Sequence, residues 1–393
     1  MSGRHAAPYI RHVLASVRKG EIDAKQAADV LEISRRRIYQ LYSQYLAACA
    51  CHQDDQWVPG LSGGDHSAEL TKEADELLRK LLGSRPPLSY SFAASEVNRR
   101  LGIEMDRACV RRWAFKENLQ HAGPVKKASA AVRRWQCSEV GALWQLDAST
   151  HNWFGDYAPK TSLLNMLDDC SRVITGTRLY ERETLLAYFD FLPRAFEEYG
   201  LPLILYVDFH SFFFSQNHEL LTQLGRALKF YGVSLKYAPT PQAKGKIERN
   251  HQFWQNRLPP LFMIEKVPNV CAGNLIINML RPYHNQKEIH REIQCTPEAA
   301  WNEALLNGRS ALRPVPRCPW WKYVWSVRTT VMVGSDGRIP VGTQRLRVEI
   351  PPHQRLVSCQ HPSGDITIIK EHPQSGKMPV IVLNYPSSSK VQL

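Results

Sequence analysis

Two short apolar runs constrain this chain more than any other feature, because each reads as a buried strand and each carries a single aspartate. Asp147 lies in Leu143-Trp144-Gln145-Leu146-Asp147-Ala148, and Asp208 closes Leu203-Ile204-Leu205-Tyr206-Val207-Asp208. A third acid, Glu248, stands in the basic segment Pro241-Gln242-Ala243-Lys244-Gly245-Lys246-Ile247-Glu248-Arg249, which has helical character. Around these runs the pattern alternates between the two periods. Strands are expected at 142–148, 162–168, 173–180, 203–207 and 233–238, and helices at 184–199, 217–231 and 244–258. Three early strands with no helix between them, followed by alternating helix and strand, predict a mixed sheet flanked by helices.

The bulk numbers place that sheet in a larger protein. Single cores stop growing near about 250–300 residues, so 393 residues should hold several domains. The net charge of +13 is unevenly spread. Residues 1–138 carry 22 Lys/Arg against 15 Asp/Glu, residues 139–260 carry 12 against 13, and residues 261–393 carry 16 against 9. Basic flanks around a near-neutral centre suit a chain whose ends hold a polyanion while its middle gathers carboxylates. No run of about 18 apolar residues is present, so no membrane span is expected. Met1-Ser2-Gly3-Arg4-His5 lacks an apolar signal core. Nine cysteines with no Cys-x-x-Cys pair read as free thiols of a reducing compartment, which predicts a cytoplasmic location.

The basic flanks have their own organisation. In residues 1–50, Ala24 to Leu31 reads as a helix, Glu32-Ile33 as a turn, and Ser34 as the N-cap of a helix to about Tyr45, buried through Ile38, Leu41, Tyr42 and Tyr45. Arg35, Arg36 and Arg37 occupy its first turn, where cations oppose the helix dipole unless an anion arrives. A phosphate backbone is such an anion, so the unit reads as a DNA-binding helix-turn-helix. Residues 66–120 read as a second such unit. Leu70 to Leu82 lies on one helix, Ala93 to Leu101 on the next, and Asp106 caps a third with Val110, Trp113 and Ala114 inward and Arg107, Arg111, Arg112 and Lys116 outward. Residues 121–138 form a basic linker, 139–262 the central sheet domain, 263–315 a helical extension, and 316–385 a run of short strands whose turn spacing suggests a small β-barrel. Residues beyond Pro386 read as a disordered tail.

The three acids point to a chemistry. Cleaving or transferring a phosphodiester needs an activated oxygen nucleophile and a stabilised leaving oxygen, and two divalent ions about 3.5–4 Å apart supply both when carboxylates hold them. Hard oxygen ligands suit Mg²⁺, and Mn²⁺ can substitute. An adjacent pair, Asp168-Asp169, is a rival for the metal. His151 and His210 read as hydrogen-bonding or DNA-contacting groups at the site's edge. On the helix of Glu248, Lys246, Asn250, Phe253 and Arg257 share one face, expected to touch DNA backbone. Ile247, His251, Trp254 and Leu258 share the neighbouring face, expected to pack on the sheet.

The runs Trp144-Gln145-Leu146-Asp147-Ala148-Ser149, Asn165-Met166-Leu167-Asp168-Asp169-Cys170-Ser171-Arg172, Tyr206-Val207-Asp208-Phe209-His210-Ser211 and Pro241 to Arg249, taken in this order, resemble the integrase core of bacterial insertion-sequence transposases. That family has a retroviral-integrase-like (DDE) core of RNase H-like fold. The resemblance covers residues 139–260 most strongly. It implies an α/β RNase H-like mixed-sheet catalytic core behind α-helical helix-turn-helix units and ahead of a small C-terminal β-barrel. It also implies Asp147 midway along the first strand, Asp208 at the end of the fourth, and Glu248 on the helix after the fifth, with Asp168-Asp169 ending the second strand in a structural turn at Ser171-Arg172. The 39 residues between Asp208 and Glu248 imply a loop insertion.

The function so implied is DNA transposition. The chain would bind the terminal inverted repeats of its own element, cleave there with Mg²⁺ held by Asp147, Asp208 and Glu248, and join the freed 3′-hydroxyl to target DNA. Lys244, Lys246 and Arg249, with the arginines of the two helical units, would contact the duplex. The partners implied are double-stranded DNA at transposon ends and target, with a homo-oligomer assembled on it near the nucleoid. Two alternatives stay open: a catalytically inactive, transposase-derived DNA-binding protein, and an RNase H-like structure-specific nuclease.

Overall fold

A computed structural model of the chain describes residues 5–50, 56–59, 70–120, 135–208, 222–238, 244–317, 320–342, 344–371 and 379–386. The chain divides into two compact units, Met1–Thr71 and Lys72–Leu393. His210, the Phe212-Phe213-Phe214 run, most of the basic linker and the tail lie outside the described residues.

The first unit holds α1 (Ala7–Lys19), α2 (Ala24–Val30) and α3 (Arg35–Ala50). Asp23 caps α2 through a reciprocal box with Gln26, and Ser34 Oγ accepts from Arg37 N–H at the start of α3. Val13, Ala27, Ala28, Leu31 and Ile38 form one cluster, and Leu14, Leu41 and Tyr45 a second. Arg35 and Arg36 stay exposed, and no acid stands in the first turn of α3.

The second unit opens with α4 (Lys72–Leu82), α5 (Tyr90–Leu101) and α6 (Arg107–Lys116), joined through Leu78, Leu81, Phe92, Val97, Val110 and Trp113. Asp106 caps α6 by accepting from Cys109 N–H at 2.7 Å. Contacts with two glutamates tie α4 and α5 to later chain. Arg100 and Lys80 pair with Glu265 at 3.1 and 3.2 Å, and Ser95 Oγ donates to Glu288 at 2.6 Å.

The central sheet follows: β1 (Leu143–His151), β2 (Thr161–Asp168), β3 (Ile174–Tyr180), α7 (Leu185–Tyr199), β4 (Ile204–Val207), α8 (Gln223–Phe230), β5 (Ser234–Tyr237), then α9 (Gly245–Gln255), α10 (Leu258–Ile264), α11 (Val270–Lys287) and α12 (Pro297–Leu306). Its order is β3-β2-β1-β4-β5. The first three strands pair antiparallel, while β4 runs parallel to β1 and β5 parallel to β4. Alternation sorts the side chains. Trp144, Leu146, Leu164, Met166, Leu205 and Val207 face a core built with α7 and α8, while Gln145 and Asn165 on the other face reach α9. Both faces are thus covered, which explains why every residue of β2 is buried.

The β2–β3 turn is held by its acids, in keeping with the structural reading of the pair. Asp168, fully buried, accepts from Gly141 N–H, Trp144 Nε1–H, and both N–H and Oγ–H of Ser171 at 2.7–3.1 Å. Burial pushes its pKa up, and the hydrogen bonds from Ser171 and Gly141 pull against it. Asp169 accepts from Cys137 N–H, Gln145 Nε2–H and Lys246 Nζ.

Beyond the short α13 (Trp321–Val324), the C-terminal strands are β6 (Val327–Met332), β7 (Arg338–Val341), β8 (Gln344–Arg347), β9 (Arg355–Gln360), β10 (Ile366–Ile369) and β11 (Ile381–Tyr385). They form a four-stranded antiparallel sheet, β11-β10-β9-β6, and a separate β7–β8 hairpin. Among the described residues no ladder closes these into the small barrel that the sequence suggested. Instead the hairpin packs on the open sheet through Ile339, Val341, Leu356 and Ile368. Trp325 stacks on Tyr231 at 5.5 Å and meets Phe189 and Phe196, fixing this region to the α7–α8 side of the core.

Asp168→Ala is expected to lower unfolding free energy by about 3 kcal/mol or more, because four buried donors lose their acceptor. Urea denaturation followed by circular dichroism checks it, and a change under about 1 kcal/mol would contradict this account of the turn.

Candidate catalytic site

Strand register brings the first two acids side by side. Asp147 is the fifth residue of β1, and the parallel ladder pairs Gln145 with Tyr206. Two steps further along, Asp147 comes level with Asp208, which directly follows β4. On the other side Asp147 pairs with Asn165, and Asn165 with Thr177. A polar row therefore crosses the sheet at one level: Thr177, Asn165, Asp147, Asp208. Thr177 Oγ1 donates to Asn165 at 2.7 Å, and Asn165 Nδ2 donates to Asn250 on α9 at 2.6 Å.

Helix α9 lies along β1 because the two repeats nearly match. Four helical residues rise about 6.0 Å and two strand residues about 6.6 Å. Three successive contacts keep this step: Ile247 N–H donates to Gln145 Oε1 at 3.2 Å, His251 Nε2 sits 3.3 Å from Asp147 Oδ2, and Gln255 Nε2 donates to Ser149 Oγ at 3.0 Å. Ile247 and Trp254 are fully buried beneath the helix, so the face expected to pack on the sheet does so; the expected helix to 258 ends at Gln255, and Leu258, also buried, opens α10. Glu248 is exposed. At about 100° per residue, Lys244, Glu248, His251 and Gln255 fall within about 60° of arc, with Glu248 at its solvent edge and about one turn along the axis from each of the two side chains that reach Asp147.

Asp147 is the electrostatic centre. Its side chain is 21% exposed, with Lys244 Nζ 2.7 Å from Oδ1. Burial raises its pKa, but the His251 contact and the Lys244 charge outweigh that and hold it below the ordinary carboxylate range. The His251 contact lacks the alignment of a hydrogen bond, and neither ring nitrogen makes one among the described residues. Tyr188 ties Asp208 to the same neighbourhood. Its buried hydroxyl donates to Glu183 at 2.7 Å. Burial first, then Glu183, then the charges of Asp147 and Asp208 raise its pKa well above the ordinary phenol value.

The structure therefore sets Asp147 level with Asp208 and lays the helix of Glu248 along the strand of Asp147, but shows no preassembled cage. Among the described residues no three His, Cys, Asp or Glu side chains converge as a metal-binding group. The donor chemistry fits a hard divalent cation: the three acids offer oxygen alone, and Asp147 already holds an ammonium against Oδ1.

The face of α9 that the sequence turned toward DNA is folded onto the protein. Lys246 pairs with Asp169 at 2.6 Å under the Trp135 ring, and Asn250 binds Asn165. Arg257 pairs with Glu288 and stacks on Phe253 at 3.8 Å. Lys244 is buried on Asp147, and Arg249, half exposed, pairs with Glu292. These partners lie 31 to 97 residues away in sequence, so helical periodicity alone gives no sign of them. Arg35, Arg36, Arg107, Arg111, Arg112 and Lys116 are exposed, with no carboxylate partner among the described residues. His151 ends β1 and packs edge-on against Trp153. Sequence reasoning missed Lys244 and His251 as partners of Asp147, and Tyr188 and Glu183 altogether. The i, i+4, i+7 spacing of Lys244, Glu248 and His251 was the available signal for the first two.

No protein-family model matches the chain. Among curated proteins, it is similar to the y4bF protein of Sinorhizobium fredii (strain NBRC 101917 / NGR234), named as a transposase, at 25% identity over 300 residues, covering 73% of this chain and 65% of that protein. It is also similar to the transposase for insertion sequence IS1202 of Streptococcus pneumoniae, at 38% identity over 156 residues, covering 37% and 33% respectively. The chain thus spans less than two thirds of the length of either relative. Among solved structures, the HTLV-2 integrase catalytic core domain in complex with magnesium (trimeric form) aligns at 19% identity and a TM-score of 0.32, covering 43% of this chain and 99% of that one. The simian T-cell lymphotropic virus intasome in complex with the PP2A regulatory subunit B56 gamma aligns at 14% identity and a TM-score of 0.37, covering 75% and 99%.

Gln145 bridges Asp169 and the Ile247 amide, so Gln145→Leu is expected to cost about 2 kcal/mol by stranding buried partners. A thermal melt beside wild type checks it, and an unchanged melting temperature would contradict this seating of α9.

Proposed function

We propose that the chain is a DNA transposase that cuts at the terminal inverted repeats of its own element and joins the cut ends to target DNA. One observation carries the reading: two aspartates on neighbouring parallel strands stand level with each other, and the helix that bears Glu248 packs along the first of those strands. Similarity to two proteins named as transposases supports it. Asp147, Asp208 and Glu248 would hold Mg²⁺, with Mn²⁺ able to substitute. A divalent cation there supplies an activated water or 3′-hydroxyl and neutralises charge building on the leaving oxygen.

The chain's own residues define the remaining work. His251 and the α9–β1 contacts orient Asp147, while Asn165 and Thr177 fix the sheet beside it. Arg35, Arg36 and Arg37 at the start of α3, and Arg107, Arg111, Arg112 and Lys116 on α6, offer cations to a phosphate backbone in the manner of helix-turn-helix units. Arg249 stands beside Glu248 for the same purpose, and Lys244 and Lys246 join it where DNA draws them from their carboxylates. A homo-oligomer assembled on DNA would pair two ends, and the C-terminal sheet region offers a further surface for DNA or a second subunit. No helix among the described residues is long and apolar enough to cross a membrane.

Asp147→Asn is expected to reduce metal-dependent cleavage of end-containing DNA to background while leaving gel-shift binding of the ends intact. Cleavage near the wild-type rate would reject the assignment, whereas wild-type protein that binds ends and never cleaves would favour a DNA-binding regulator. Cleavage without joining in a strand-transfer assay would favour the nuclease. Replacing Arg35, Arg36 and Arg37 by Ala is expected to flatten the salt dependence of end binding, by about 0.9 in log–log slope per lost phosphate contact. An unchanged slope would remove these arginines from the interface.

A further inference from the structure

The two oxygens of Asp147 are approached by two groups of different character. Lys244 carries its charge on a flexible four-carbon stem, and its side chain is 5% exposed. It directly precedes α9, where a cation opposes the helix dipole. A buried ammonium in that place is tenable because Asp147 Oδ1 lies 2.7 Å away. His251 differs in being rigid. Its side chain is 8% exposed, and it is set on the helix between Ile247 and Trp254, both fully buried against the sheet. Its Nε2 faces Oδ2 at 3.3 Å without the alignment of a hydrogen bond, and neither ring nitrogen makes a hydrogen bond among the described residues.

We propose that these two side chains divide Asp147 between a holder and a placeholder: His251 fixes Oδ2, and the Lys244 ammonium occupies, at Oδ1, the position a divalent cation takes. The inference rests on the functional reading above and deepens it. Without metal, Lys244 compensates the Asp147 charge and keeps the carboxylate in its pocket. A divalent ion brings twice the charge and draws in the neighbouring acids, so it displaces the ammonium, which its stem can carry aside. His251 stays, because moving it would unseat α9. It is a positioning residue, orienting a metal ligand through that ligand's second oxygen. Metal loading is then a competition. If the ammonium is in place about nine-tenths of the time, apparent metal affinity is about tenfold weaker than the acids alone would give.

Mn²⁺ binding by the full chain without DNA, measured from the electron paramagnetic resonance of the free ion, tests both halves. Lys244→Met is expected to bind Mn²⁺ up to about tenfold tighter than wild type. His251→Leu is expected to bind about tenfold weaker, with His251→Gln, which restores a donor near Nε2, recovering much of the loss. Circular dichroism establishes folding of each variant, and Lys244→Gln serves as a second neutral replacement if the methionine variant does not fold. Equal or weaker binding in the folded Lys244 variant overturns the placeholder. Wild-type binding in His251→Leu, or no recovery in His251→Gln, overturns the holder. Either failure with Asp147→Asn still abolishing Mn²⁺ binding leaves the transposase reading standing. Wild-type protein that binds no Mn²⁺ brings down both.

Discussion

The seating of α9 along β1 is the contact on which the rest of this site depends. Three helix-to-strand contacts, at Gln145, Asp147 and Ser149, repeat with nearly equal steps on the two elements, so one register satisfies all of them together. That register brings Lys244 and His251 onto Asp147 and leaves Glu248, on the turn between them, exposed. A slip of one residue along the strand would turn Asp147 to the opposite face, into the apolar cluster of Trp144 and Leu146. The site is thus specified by packing before any ligand arrives.

The surrounding charge network protects that register. Asp168 holds the β2–β3 turn with four accepted hydrogen bonds, and Asp169 joins that turn to β1 through Gln145 and to α9 through Lys246. At the other end of α9, Arg257 is gripped by Glu288 and sandwiched by the rings of Phe92 and Phe253 at 4.6 and 3.8 Å. Buried pairs of this kind add little net stability, because desolvation consumes most of the Coulomb gain. Breaking one is costly, so they select a single arrangement among those that the apolar core would tolerate.

Much of this was legible in the sequence. The five strands of the central sheet and α7 to α9 follow from alternating and helical periods, with described ends displaced by up to three residues; residues 217–221 of the expected 217–231 helix lie outside the described residues, and α8 is described from Gln223. The buried face of α9 was equally plain, since Ile247, His251 and Trp254 recur at helical spacing, although the same spacing carried on to Leu258, which opens α10. Its other face was not, because periodicity shows which residues share a side and never what covers it. Lys246 and Arg257 find their carboxylates through tertiary folding alone. At the C-terminus turn signals located most strands, but closure into a barrel is a property of the ladder. β11 was passed over because its half-exposed residues, Ile381 to Tyr385, give no clear inward and outward alternation. The acids stood out because aspartate is rare in apolar strands, whereas the lysine and histidine at Asp147 become visible once the helix is laid on the sheet.

The central claim is that Asp147, Asp208 and Glu248 close around one divalent centre. Anomalous diffraction from crystals of the full chain soaked in Mn²⁺ addresses it directly. The account predicts a peak about 2.0–2.6 Å from carboxylate oxygens of Asp147 and Asp208, with Glu248 turned toward it and Lys244 withdrawn. A well-ordered site with no such peak, and the Lys244 ammonium still resting on Asp147 at saturating Mn²⁺, would contradict it.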